Sequence, residues 1–183
     1  MPKIIKNLDE KIYKSALNLF YKLGYDKVEM KAISKDVGIA VGTLYNYYPN
    51  KKTLYRKILT DSWNSTFEKV DKISNSNEIG KKKIKEVLVT IYKDVIDRRG
   101  LGREMFKGTS EQGVVFNKLR ERVLYKVIDI INACEEISDE AKEFNERVSM
   151  TLIYNSFLLI NEKSEEHEKN LEFIDFMVEK MLF

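Results

Sequence analysis

Apolar residues recur every three or four positions along most of this chain. Leu8, Ile12, Ala16, Leu17, Phe20 and Leu23 trace one stripe and predict a first helix. Asn7 suits its N-cap, with Asp9 and Glu10 at the positive end of the helix and Gly24 as the stop. The stretch from Met30 to Tyr48 then reads as two short helices joined by a tight turn at Gly38. Ile33 and Val37 line the first, Leu44, Tyr47 and Tyr48 line the second, and Ile39 lies between them as a plug. Gly38 tolerates positive φ, and Ser34 is small enough for two helices to cross closely. Neither short helix is stable alone, so both must pack on the first in a three-helix head with a helix-turn-helix.

Pro49 blocks easy continuation, and Asn50 is a good N-cap for a fourth helix from Lys51 to about Ile73, striped by Leu54, Ile58, Trp63, Phe67, Val70 and Ile73. The polar run Ser74 to Gly80 predicts a loop. Further helices are expected at Lys81 to Arg99, Phe116 to Cys134, Glu140 to Asn161 and Glu166 to Leu182, with a glycine-rich segment, Gly100 to Gly113, that must bend or move. The last two carry apolar residues on more than one face, more than one small core uses. A second copy of the chain is the simplest cover, with Leu152, Asn155, Leu159, Phe173, Phe176 and Met177 as candidate interface residues and Asn155 bonding across the seam. The expected class is all-α, with a head at 1–50 and a helical body at 51–183.

Composition agrees with that class. Only 2 Pro and 8 Gly are present, against roughly nine and thirteen at average usage, too few for the many turns of a β-sandwich. One Cys and one His exclude a disulfide framework and the common zinc and iron-sulfur sites. Neither a metal nor a cofactor is expected. No apolar run approaches the roughly 18 residues of a membrane span, and Met1 to Glu10 lack an apolar leader core, so a cytoplasmic protein without membrane partners is expected.

Charge is unevenly placed. The net charge is +3, but residues 1–60 hold 12 Lys and Arg against 5 Asp and Glu. A basic head on an acidic body reads either as an anion-binding module, nucleic acid being the commonest large anion, or as a solvated lysine-rich surface. The head's motif favours the first. Ala40, Val41, Gly42 and Thr43 open the second short helix, where a major groove would meet them, with Tyr45, Asn46 and Tyr47 further along. Thr43 offers a hydroxyl and a methyl, Val41 a surface for a thymine methyl, and Asn46 a bidentate partner for adenine. Lys51 and Lys52 stand in the first turn of a helix, where a phosphate would offset their unfavourable position.

The run Gly24-Tyr25-Asp26, followed by Ile33 through Lys51, resembles the DNA-binding head of the TetR family of bacterial transcriptional regulators, over about residues 8–58. The resemblance implies a homodimer on a palindromic operator, usually a repressor, with a small-molecule pocket in each body and a dimer interface on the last two long helices. Carried over by position, DNA contacts fall on Lys31, Thr43, Tyr47 and Lys51. Glu29 departs from the Thr or Ser common at its position. A carboxylate can cap a helix but repels phosphate, which moves affinity toward Lys51 and Lys52.

The effector has no motif. Trp63, Phe67, Tyr92, Phe106, Tyr125 and Tyr154 are candidates for the pocket wall and equally for core. Arg98, Arg99 and Arg103, beside the glycine-rich segment, are candidates for an acidic ligand, with exposed surface as their ordinary role. Two other classes compete with a regulator. A helical enzyme would have to use Cys134, His167 or carboxylates, His167 lying in a charged stretch. A protein-interaction adaptor would use the helix-turn-helix without DNA.

Overall fold

A computed structural model describes residues 7–77, 80–98 and 113–183. Among them every regular element is a helix: α1 (Leu8–Lys27), α2 (Met30–Val37), α3 (Val41–Tyr47), α4 (Lys51–Ser74), α5 (Gly80–Asp97), α6 (Gly113–Ala133), α7 (Asp139–Glu143), α8 (Asn145–Glu162) and α9 (His167–Leu182). The chain is all-α, as the periodicity predicts. It divides into two compact units, Met1–Ser62 and Trp63–Phe183, with the division inside α4. No helix of the described residues is long and apolar enough to cross a membrane.

The head is built around Ile12, Ala16 and Phe20 of α1, Ile33 of α2, Leu44 of α3, and Leu54, Tyr55, Ile58 and Leu59 of α4, all buried. Gly38 closes α2 at φ 76° and ψ 37°. Its N–H donates to Lys35 O and that of Ile39 to Ser34 O at 2.9 Å, the paired bonds that satisfy the last carbonyls of a helix ending in a left-handed residue. Ser34 is buried and its hydroxyl donates back to Lys31 O, so it adds no unpaired group at the crossing. Gly24, at φ 78°, interrupts α1 but does not end it, and helical structure resumes to Lys27.

Two expected caps differ. Asn7 is itself left-handed, at φ 56°, and its side chain makes no cap bond. Glu29, extended ahead of α2, makes none either. Asn50 does cap α4, its Oδ1 accepting from Thr53 N–H at 2.8 Å.

In the body, α5 packs against α6, α8 and α9, α6 against α8, and α8 against α9. Ile84, Val87, Leu88, Ile91 and Val95 of α5 and Leu119, Val123, Val127, Ile130 and Ile131 of α6 are buried. The single helix expected over 140–161 is two. Ser138 caps the short α7 by accepting from Ala141 N–H, and Phe144, at φ −103° and ψ 24°, stands between α7 and α8. The expected bend over 100–113 lies mostly outside the described residues, as do Arg99, Arg103 and the pocket candidate Phe106.

Candidate functional site

Leu44 is the inward anchor of α3 and is fully buried. One turn later the backbone extends at Tyr48, φ −133°, which swings its ring into the core while α3 ends at Tyr47. The Tyr48 hydroxyl donates to Asp9 Oδ1 at 2.7 Å, tying the end of α3 to α1. Ser15 Oγ donates to Asp36 Oδ2 at 2.6 Å and ties α1 to α2. The short α3 therefore owes its orientation to neighbours, as its seven residues require.

The outer face of α3 carries the sequence candidates together. Ala40, Val41, Gly42, Tyr45, Asn46 and Tyr47 are exposed and Thr43 is half-buried. Tyr47 corrects the packing role predicted for it beside Leu44 and Tyr48, since 47% of its surface is open. The extended residue after it, not the helix period, decides which tyrosine turns inward. A Cβ at Gly42 would meet nothing within 4 Å, so no packing inside the chain requires glycine there. Lys31 is exposed near the start of α2.

Lys51 is placed differently from a solvent-facing phosphate ligand. Its ammonium donates to Tyr25 O at 2.9 Å and Asp26 O at 3.3 Å and lies 4.4 Å from the Tyr25 ring centroid. It thus satisfies carbonyls at the end of α1, where the negative end of a helix favours a cation. Lys52, beside it, is half-buried.

Burial, and then the bond to Asp9, pushes the Tyr48 phenol well above its ordinary value. A raised phenol in the folded head gives stability that is complete below the unfolded value of about 10 and lost as pH rises beyond it. Tyr48→Phe is expected to cost about 1.5 kcal/mol near neutrality, the scale of one hydrogen bond. Urea midpoints should show the gap between the two proteins closing above about pH 10; a constant gap would contradict this assignment.

Among the described residues the body candidates do not form one pocket. Trp63, Phe67 and Tyr92 are core, with the Trp63 ring 5.8 Å from Phe67 and 6.3 Å from Phe157. Tyr125 is instead 61% exposed on α6. Tyr154 borders a cleft of about 320 Å³ with Leu124, Met150 and Ile153. A cleft of about 530 Å³, lined by Lys83, Lys126, Ile130, Cys134 and Glu136 among others, holds none of the five candidates that lie among the described residues. Large aromatics at helical spacing were drawn into the core because burying their area is worth more than lining a void.

The candidate seam is corrected at two positions. Leu152 and Met177 are buried inside the protomer, whereas Leu158, Phe173 and Phe176 are exposed. Asn155 and Leu159 are half-buried, and Asn155 Nδ2 donates to Thr151 O on its own helix. The Phe173 and Phe176 rings stack at 6.1 Å.

Sequence reading missed three polar residues. Asp9 was assigned to the helix dipole but receives Tyr48. Asp94 and Thr66 are buried with Arg98, which is interior and not surface. The available signal was Asp94 and Arg98 one turn apart on an otherwise apolar face.

Comparison with known proteins bears on the head first. Residues 12–58 match the family described as bacterial regulatory proteins, tetR family. The negative transcriptional regulator IcaR of the biofilm operon icaADBC in Staphylococcus epidermidis is 39% identical over 57 residues, 31% of each chain. The curated relatives are matched over about a third of their own length or less. Solved structures extend the likeness of fold to the body. A transcriptional regulator from Cytophaga hutchinsonii superposes with a TM-score of 0.75 at 22% identity, over 94% of this chain and 97% of that one. The regulator FadR from Bacillus subtilis, solved with stearoyl-CoA, gives 0.72 at 14% identity, over 95% and 97%. With a helix-turn-helix whose outward face is free of internal packing duties, residues 12–58 thus match the head of the tetR family of bacterial regulatory proteins, and the chain shares its overall fold with solved transcriptional regulators.

Proposed function

We propose that this protein is a ligand-responsive repressor whose homodimer binds a palindromic operator and is released by a small molecule. The observation that carries this reading is the outward face of α3. Val41, Tyr45, Asn46 and Tyr47 stand exposed on a helix whose inner face is anchored by Leu44 and, just past its end, by Tyr48. Thr43 and Asn46 read base edges; Lys31, Lys52 and the Tyr47 hydroxyl meet phosphates. Lys51 serves first as a clamp on the end of α1, with one N–H left over from its two carbonyl bonds to offer the backbone of DNA. IcaR, whose head is similar, is a negative transcriptional regulator. A bound acyl thioester in FadR supports an effector seat in a body of this plan. Exposed Leu158, Phe173 and Phe176 on α8 and α9 support a second copy as their cover.

The effector acts by favouring a dimer whose recognition helices no longer fit successive major grooves, a shift bounded by its differential affinity for the two forms. Anisotropy on DNA from upstream of the protein's own gene, against scrambled competitor, tests the reading. A dimer making roughly 6 to 10 phosphate contacts loses about 10³ to 10⁵ in affinity between 50 and 200 mM salt. Asn46→Ala should relax sequence preference, whereas Lys52→Ala should weaken all DNA alike and flatten the salt slope by about 1. Salt-independent or sequence-blind binding to sites selected from random DNA would favour the adaptor.

A further inference from the structure

Two rows of residues on α6 repeat every four positions. One is basic, Lys118, Arg122 and Lys126, and the other is apolar and buried, Leu119, Val123, Val127 and Ile131. The basic row reaches α4. Arg122 Nη1 donates to Asn64 Oδ1 at 3.2 Å, its guanidinium carbon lies 3.9 Å from the Phe67 ring centroid, and Lys126 Nζ is 2.6 Å from Asp71 Oδ1. Higher numbers on α6 meet higher numbers on α4, so the two helices run parallel along this seam.

The facing side of α4 has the same period, with Glu68 four residues after Asn64, Asp71 four after Phe67, and Asn75 four after Asp71. Advancing α6 by four residues toward the end of α4 therefore replaces every tie. Arg122 comes to lie between Glu68 and Asp71, Lys126 reaches Asn75 at the carbonyl end of α4, where a cation is favoured, and Lys118 takes the seat over Phe67 that Arg122 leaves. Inside, Val123 takes the place of Val127, Leu119 that of Val123 and Val127 that of Ile131, apolar exchanges of the kind that cores tolerate. The advancing end has room. A cleft of about 530 Å³ lies beside it, bounded by Ile130, Ala133 and Cys134 with Ser74 and Gly80 among the residues opposite. Glu68 and Lys118 are exposed, and neither is in an ion pair among the described residues. Both gain partners only after the advance.

We propose that α6 and α4 have two registers, four residues apart, and that the effector acts by exchanging one for the other. This rests on the reading of the protein as an operator-binding regulator released by a small molecule. The register seen here holds the operator and the advanced one releases it, because α4 continues into the head as one helix, Lys51–Ser74. Four residues amount to a rise of about 6 Å and a rotation of about 40° beyond a full turn. Discrete steps of this size are how packed helices exchange between states, since intermediate positions satisfy neither set of seats.

The test reads the register directly. Nitroxide labels on Ser65→Cys of α4 and Asn132→Cys of α6, in a Cys134→Ala background and diluted with unlabelled protein so that only pairs within one chain count, give the distance along the seam by pulsed electron resonance. Advance should lengthen it by about 5 Å, most of the rise of four residues. Lys126→Ala removes the tie to Asp71 that only the present register makes. It should populate the longer distance and weaken a duplex selected from random DNA about threefold to tenfold. Glu68→Gln removes a seat that only the advanced register uses, so adding it to Lys126→Ala should bring back both the short distance and the affinity. A tie of purely structural value would instead lower the Tm of Lys126→Ala and leave one distance throughout. One distance in every variant, or a longer component that Glu68→Gln leaves in place, overturns the proposal. If the wild-type protein selects no DNA, the operator reading falls and the proposed release with it, while the distances still decide whether the two registers exist.

Discussion

Leu44→Ala is expected to destabilise the head by about 2–5 kcal/mol, the cost of truncating a fully buried leucine whose surroundings relax only in part. The site offers little room for relaxation. α3 has seven residues, too few to persist without tertiary contacts, and Leu44 is its only buried residue. Domains are stable by only about 5–15 kcal/mol in total, so this loss is a large share. Apparent operator affinity should fall on specific and random DNA together, because the competent fraction of heads falls. Hydrogen exchange can separate this from lost contacts. Amides of α1 to α3 should lose protection in Leu44→Ala, while those of α5 to α9 keep it. Thr43→Ala, one residue away on the outward side, should change base preference with protection unaltered. A Leu44→Ala protein with the wild-type urea midpoint would contradict the packing described for α3.

Asp94→Ala is expected to have a comparable effect in the body. It takes the Asp94 carboxylate away from the interior Arg98, and breaking one side of a buried ion pair costs about 3–5 kcal/mol. Lys69, about half exposed, turns to solvent at small cost. The sign reverses when both charges go. Asp94→Leu combined with Arg98→Met should recover most of the loss, because an apolar pair avoids desolvating either ion. Thermal unfolding of the single and double variants measures this coupling. If the double variant is no more stable than Asp94→Ala, the pair contributes through geometry at Thr66 and not through charge.

Much of the fold was legible in the residues. The apolar stripes, the Gly38 turn and the Asn50 cap are local devices, each acting within about one helical turn, and the expected helices are present except that the one expected over 140–161 is broken at Phe144. The TetR-like head was legible for the same reason, since its spacing is written into one continuous run from Ile33 to Lys51. Caps were less reliable where a side chain had a better partner elsewhere. Asn7 and Glu29 suit capping by type and make no cap bond, and Asp9 is drawn to Tyr48.

What the sequence determined by itself was therefore the helical class, the order of most of its elements and the place of the helix-turn-helix. Periodicity within 3.6 residues needs no knowledge of the partner. The tertiary structure alone decided which residues at helix ends and between helices turn inward. Tyr48 turns in and Tyr47 out because the backbone extends between them. Trp63, Phe67 and Tyr92 fill the core, Lys51 closes the end of α1, and Arg98 is buried against Asp94 and Thr66. Each of these rests on a contact between residues from separate helices or across a break in one, or on burial by several elements at once, and spacing along the chain carries no information about that distance.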